Sequence, residues 1–190
     1  MNPVARWDRQ VVETVRRRRT PPVVASARLV SAMAEPRIAY PVVAGAGLWA
    51  SGRRRALGDV AGGAAALATV VAGMVVRRAA CGQIARTRPP RDAWLVRPDG
   101  HSLPSRHTTM AALTAGVCVD LLTTDAGTRR AVPLLVAATV GASRVVLGVH
   151  WPSDVLAGWL FAQVWLRLTR PVRVASHRSR ILVRARAGMG

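Results

Sequence analysis

The sequence predicts an all-α integral membrane bundle of about five to six transmembrane helices, preceded by an amphipathic N-terminal helix. Two observations carry that expectation. Of the 190 residues, 51% are hydrophobic, mostly Ala and Val, and they gather in long runs almost free of charge. All 28 basic residues are arginine, and they flank these runs rather than interrupt them, as in a chain threaded through a bilayer. Nine acids leave a formal charge of +19, so the neighbour should be anionic, either a polymer or a membrane surface. A soluble nucleic-acid binder would rarely carry such apolar runs as well. Anionic membrane lipids are therefore the expected partners, and no specific nucleic acid is.

Taken in order, residues 1–37 read as an interfacial segment, 38–168 as the membrane-embedded domain and 169–190 as an arginine-rich exposed tail. Up to about Thr20, Val4, Trp7, Val11, Val12 and Val15 oppose Arg6, Arg9 and Arg16 to Arg19, which suits a helix lying among headgroups. Pro21 to Met33 is apolar but short and interrupted by Arg28, a re-entrant or interfacial piece. A first crossing runs from about Ile38 to Ser51 and stops at Arg53-Arg54-Arg55. A second spans Ala56 to Val76 with only Asp59 charged and stops at Arg77-Arg78. Cys81 to Arg106 is a polar, proline-rich loop. Helical patterns resume over His107–Leu122, Ala131–Val149 and Ser153–Leu168, broken at Thr123–Arg130 and at His150-Trp151-Pro152. Neither Cys81 nor Cys118 has metal-ligand spacing, and no metal or cofactor is expected.

Three polar clusters sit at the ends of apolar helices: Arg88-Pro89, Pro104-Ser105-Arg106-His107, and Ser143-Arg144 through His150 to Asp154. Two crossings separate the loop holding the first pair from the turn at His150, so all three should emerge on one face. Two histidines, several arginines and an acid then share one interface. Arginines bind phosphate oxygens with forked, charge-assisted hydrogen bonds, and Ser105 would set a hydroxyl and free amides at a helix N-terminus. Asp154, four residues after His150, can reach back to one imidazole nitrogen and free the other as nucleophile or base.

Ser-Arg-x5-His-x3-Asp over residues 143–154 resembles the third signature of the type 2 phosphatidic acid phosphatase superfamily. Pro-Ser-x-His resembles the second, and Arg88-Pro89 the end of the first. The resemblance, spanning about residues 38–168, implies a metal-independent lipid phosphatase. His150 would form a phosphohistidine, oriented by Asp154, while His107 protonates the leaving oxygen and then activates water. Arg88, Arg144 and Ser105 would bind the phosphoryl oxygens.

Two positions depart from the family pattern. Cys81 stands where the family has lysine, and Arg106 where glycine is common. Arg78 or Arg106 is expected to replace the missing charge. The main alternative is a weakened or inactive homologue that binds anionic headgroups. A vanadium-dependent haloperoxidase has a similar site, but those are larger soluble proteins. Nothing in the sequence selects among phosphatidic acid, phosphatidylglycerol phosphate and isoprenyl diphosphates. A sixth crossing near residues 21–36 would gather the N-terminal arginines with Arg53–Arg55, Arg129, Arg130 and the tail. The positive-inside tendency would then put the catalytic face outside a bacterial plasma membrane.

Overall fold

The computed structural model describes the backbone of residues 2–54 and 58–187, and the side chains of residues 2–52 and 61–171. Side chains of Arg53–Arg55, of Asp59 and of the arginines beyond Pro171 therefore lie outside the described residues. Seven α-helices and one 3₁₀ turn are present among those described, with no strand.

Helix α1 (Pro3–Arg17) opens on a proline, whose missing N–H costs nothing in a first turn, and the Asn2 side chain accepts from the Val4 amide at 2.9 Å. Helix α2 (Pro21–Ala32) has 12 residues, about 18 Å at 1.5 Å per residue, too short to cross a bilayer. Both its ends lie at the same end of the bundle: Arg19 donates to the Ala93 carbonyl, and Glu35 lies against His107. The arginine-rich α1 sits at that end too, with Asp8 bonded to Ser153. The sixth crossing and the sorting of arginines to the opposite side are thus corrected. The α2 segment is a helix laid over one end of the bundle.

Five long helices then run up and down: α3 (Pro36–Arg54), α4 (Gly58–Ile84), α5 (Arg106–Leu122), α6 (Ala126–Val146) and α7 (Pro152–Ala187). Within α4, Ala61–Ile84 is long and apolar enough to cross a membrane. Three boundaries differ from expectation. Helix α4 continues past Arg77-Arg78, because a helix carries arginine well and no breaker follows until the loop. Helix α6 starts at Ala126 instead of Ala131, since the Asp125 carboxylate caps it by accepting from the Thr128 amide at 2.6 Å. Helix α7 continues through the arginine-rich stretch instead of ending at Leu168.

The core is built from small and branched residues. Ala39, Val43, Ala66, Val70, Met110, Leu113, Val117, Ala137 and Ala162 are buried together. Small residues let backbones approach: a Cβ on Gly47 would lie 2.7 Å from the Gly63 Cα, so α3 and α4 touch main chain to main chain. Outside, Leu48, Trp49, Val75, Leu135, Leu160 and Val164 are exposed. Such an apolar exterior suits hydrocarbon rather than water.

Candidate active site

The turn between α6 and α7 carries the most constrained group. Helix α6 ends as Gly148 takes a left-handed conformation (φ 74°), reversing the chain so that His150 points into the bundle end, 1% exposed. A second buried cluster of Ala27, Leu147 and Val149, packed by Trp94 and Leu95, holds this turn against α2. His150 Nε2 lies 3.1 Å from Arg88 Nη1, and Nδ1 lies 3.5 Å from Asp154 Oδ2. That second separation permits ion pairing but is too long for a good hydrogen bond. Burial pushes the His150 imidazole down to about 4, Arg88 and Arg144 adding to the shift while Asp154 opposes it. At neutral pH the ring is uncharged and one nitrogen keeps its lone pair; at Nε2 that lone pair faces Arg88 Nη1.

Asp154 is fully buried in the first turn of α7. Its Oδ2 accepts from the Trp151 amide at 2.8 Å and from the Ser102 hydroxyl, and its Oδ1 accepts from Arg86 Nη1 at 2.7 Å. Arg88 is held from below by the carbonyls of Asp99, Gly100, His101 and Val149, at 2.6–2.9 Å. It thereby ties the loop after α4 to the turn that carries His150.

Across the cleft stands His107, in the first turn of α5 and 4% exposed. Its Nε2 lies 2.8 Å from Glu35 Oε1, and Arg106 Nη2 lies 3.3 Å from the same oxygen. Arg144 donates from Nη1 to the Ser31 hydroxyl at 2.7 Å, while its buried Nε has no hydrogen-bond partner. Between these groups lies a cleft of about 220 Å³, lined by both histidines and by Arg28, Arg37, Arg88, Arg97, Arg106 and Arg144. Among the described residues, only Glu35 and Asp99 bring acid to its walls. A small, dianionic tetrahedral group matches such a lining in size and charge. Among the described residues, no three His, Cys, Asp or Glu side chains are arranged to hold a metal ion.

The sequence model of the PAP2 superfamily matches residues 56–178, about two thirds of the chain. The chain belongs to the PAP2 superfamily. Relatives that it matches in sequence are named as phosphatases. A decaprenylphosphoryl-5-phosphoribose phosphatase of Mycobacterium tuberculosis is 34% identical over 144 residues, 73% of each chain. An undecaprenyl-diphosphatase of Sulfolobus acidocaldarius is 36% identical over 83 residues, 40% of this chain and 39% of the other. The fold matches the crystal structure of a transmembrane PAP2 type phosphatidylglycerolphosphate phosphatase from Bacillus subtilis. The TM-score is 0.80 at 22% identity, over 94% of this chain and 90% of that one. The all-helical bundle is thus the fold of a transmembrane PAP2 phosphatase.

Of the residues singled out in the sequence, His107, His150, Arg88, Arg106 and Arg144 line the cleft, and Asp154 lies behind His150. Two are placed elsewhere. The Ser105 hydroxyl is buried and accepts from Thr108 Oγ1 at 3.0 Å, so it faces the helix interior and not the cleft. Arg78 is exposed, turned one helical step of about 100° from the buried Arg77. Arg77, four residues before Cys81 and on its face, points inward instead. It donates twice to the Pro104 carbonyl, at 2.6 and 2.8 Å, and approaches Cys81 Sγ at 3.3 Å. Its charge supports the loop that leads into α5 and so to His107.

Sequence reasoning missed Glu35, Ser31, Asp8, Arg86 and Ser102. Only Glu35 left a signal: a lone acid closing an apolar stretch, where an ionisable group usually has a partner.

Proposed function

We propose that this PAP2 superfamily member is an integral membrane enzyme that hydrolyses a lipid phosphate or isoprenyl (di)phosphate through a phosphohistidine, without a metal. The observation that carries the reading is the convergence of His107 and His150, from helix ends separated by two passes of the chain, on one arginine-lined cleft. In this reading the His150 Nε2 lone pair attacks phosphorus as the bond to the lipid oxygen breaks. His107 gives that oxygen its proton. Asp154 stabilises the positive charge left on the ring. His107 then takes a proton from water, the resulting hydroxide attacks phosphorus, and the P–N bond breaks to restore His150 and release phosphate. Arg88, Arg106 and Arg144 gather the equatorial oxygens as charge builds on them. The Arg144 Nε, buried and unpaired, is a donor waiting for an acceptor.

The exposed apolar flanks of α3, α4, α6 and α7 support a bilayer setting, with the cleft at its boundary. A lipid substrate follows from that position and from the names of the relatives. Glu35 serves as counter-charge to His107 and swings aside for the incoming phosphate, its side chain being 29% exposed. Arg106, on the cleft wall, remains the candidate to replace the family's lysine.

The test is phosphate release from phosphatidic acid, phosphatidylglycerol phosphate and isoprenyl diphosphates, with EDTA present. Turnover in EDTA that disappears in His150→Ala is the expected result. Turnover that needs a divalent metal, or that survives His150→Ala, would overturn the mechanism.

A further inference from the structure

A second buried acid lies outside the residues matched by the superfamily. Asp8, on α1, is 1% exposed although the helix around it is an arginine-rich surface helix. Burying a carboxylate is costly unless it is paired and fully bonded, and Asp8 is both. Its Oδ1 accepts from the Ser153 amide at 2.9 Å. Its Oδ2 accepts from the Ser153 hydroxyl at 2.6 Å and from Arg86 Nη2 at 2.7 Å. The other arm of the same guanidinium, Nη1, donates to Asp154 Oδ1 and to the Ser153 hydroxyl, each at 2.7 Å.

We infer that Asp8 and Arg86 are positioning residues for the Asp154–His150 pair, so that the seating of α1 sets the geometry and charge behind the nucleophile. The inference rests on the phosphatase reading above. Two physical effects support it. Asp8 caps α7 from a different helix, its carboxylate binding an amide of the first turn, where the helix leaves amides without internal partners and favours negative charge. The residue after that capped amide is Asp154. Second, the buried group of Asp8, Arg86 and Asp154 carries a net charge of −1. The nucleophile therefore faces one uncancelled negative charge on its Nδ1 side when attack makes the ring cationic. Arg16, 2.8 Å from Asp92, and Arg19 just beyond the helix, 2.9 Å from the Ala93 carbonyl, strap the C-terminal end of α1 across the same corner.

The groups around Asp154 are Arg86, Asp8 by way of Ser153, the Ser102 hydroxyl, the Trp151 amide, His150 and Arg88. Removing each member of the pair should have opposite effects on pH dependence. In Arg86→Gln the Asp154 carboxylate loses the cation paired with it at 2.7 Å, takes up a proton at higher pH, and the acid limb of the kcat profile moves up. In Asp8→Asn the whole of Arg86 serves Asp154, and the acid limb moves down. The buried group is then neutral, so kcat should fall about tenfold while KM stays within about twofold, since no cleft group changes. Arg86→Lys should recover part of the Arg86→Gln loss.

The experiment measures kcat and KM against pH for the full-length protein in detergent, on the lipid phosphate that wild type hydrolyses fastest, with His150→Ala as blank. Opposed shifts of the acid limb with the loss in kcat support the inference. An active wild type whose Asp8→Asn and Arg86→Gln variants keep its kcat and profile, or lose only thermal stability, would overturn it. Activity surviving in His150→Ala would instead sink the phosphatase reading beneath it.

Discussion

Replacing Gly148 by alanine should cripple this enzyme, and the structure sets the size of the effect. The residue sits at φ 74°, where an L side chain costs about 1–2 kcal/mol. Space is the larger obstacle. A Cβ there would lie 2.0 Å from the Ala93 carbonyl oxygen, against about 3.4 Å for ordinary contact, so something must move by about 1.4 Å. The obstacle is main chain, and it is anchored: Ala93 O accepts from Arg19 at 2.9 Å, and the Leu95 amide donates to the Leu147 carbonyl at 3.0 Å. The turn bearing His150 must therefore give way. Overpacking of this kind adds about 1–3 kcal/mol, for a total of about 2–5 kcal/mol of stability. A displacement of about 1 Å at a nucleophile costs on the order of 10²-fold in rate. The control is Gly100→Ala, at φ 62° but with nothing within 4 Å of its Cβ, which should lose only the backbone contribution and keep most activity. The assay is lipid phosphate turnover beside thermal unfolding in the same detergent. Equal activity of Gly148→Ala and Gly100→Ala would refute the steric argument.

Further expectations follow from the same geometry. His150 titrates near 4 when folded and about 6.5 when unfolded, so the unfolded chain binds more protons between those values. Stability contributed by the neutral ring is complete above about pH 6.5 and is lost as pH falls towards 4. His150→Gln should flatten the acid-side fall in melting temperature over that window, and an unchanged fall would contradict the burial argument. Glu35→Gln removes the counter-charge beside His107. Its kcat should drop about tenfold, and an unchanged kcat would show that Glu35 does not assist His107. Arg77→Ala strips two hydrogen bonds from the Pro104 carbonyl and should cost about 1.5–3 kcal/mol in unfolding experiments. Arg78→Ala should stay within about 0.5 kcal/mol, and the reverse order would mean that the inward arginine has been misassigned.

What could be read from the sequence was whatever depends on short range. Asp154 follows His150 by four residues, and Arg144 precedes it by six across one helix end, so spacing alone puts them together. His107 could be joined to them because the helices between were legible as apolar runs. Glu35, Asp8 and Arg86 could not be joined in this way. Their partners lie 72, 145 and 68 residues away, and an acid in an arginine-rich surface helix reads as solvated until tertiary packing buries it. Arg77 and Arg78 differ by one helical step, which no pattern in so uniformly apolar a helix resolves. Ser105 was read from its place before a helix, where serine commonly caps, yet its hydroxyl is taken by Thr108.

Arg88 spends most of its donors on the protein's own carbonyls and keeps one edge against His150. A guanidinium pinned in this way contributes direction more than affinity. An arriving anion meets a fixed positive charge, and only the Nη1–H that faces His150 has to change partner; a loosely held lysine, free to follow the ligand wherever it settled, would guide it less well. A fixed direction of approach is thereby built into the loop between α4 and α5.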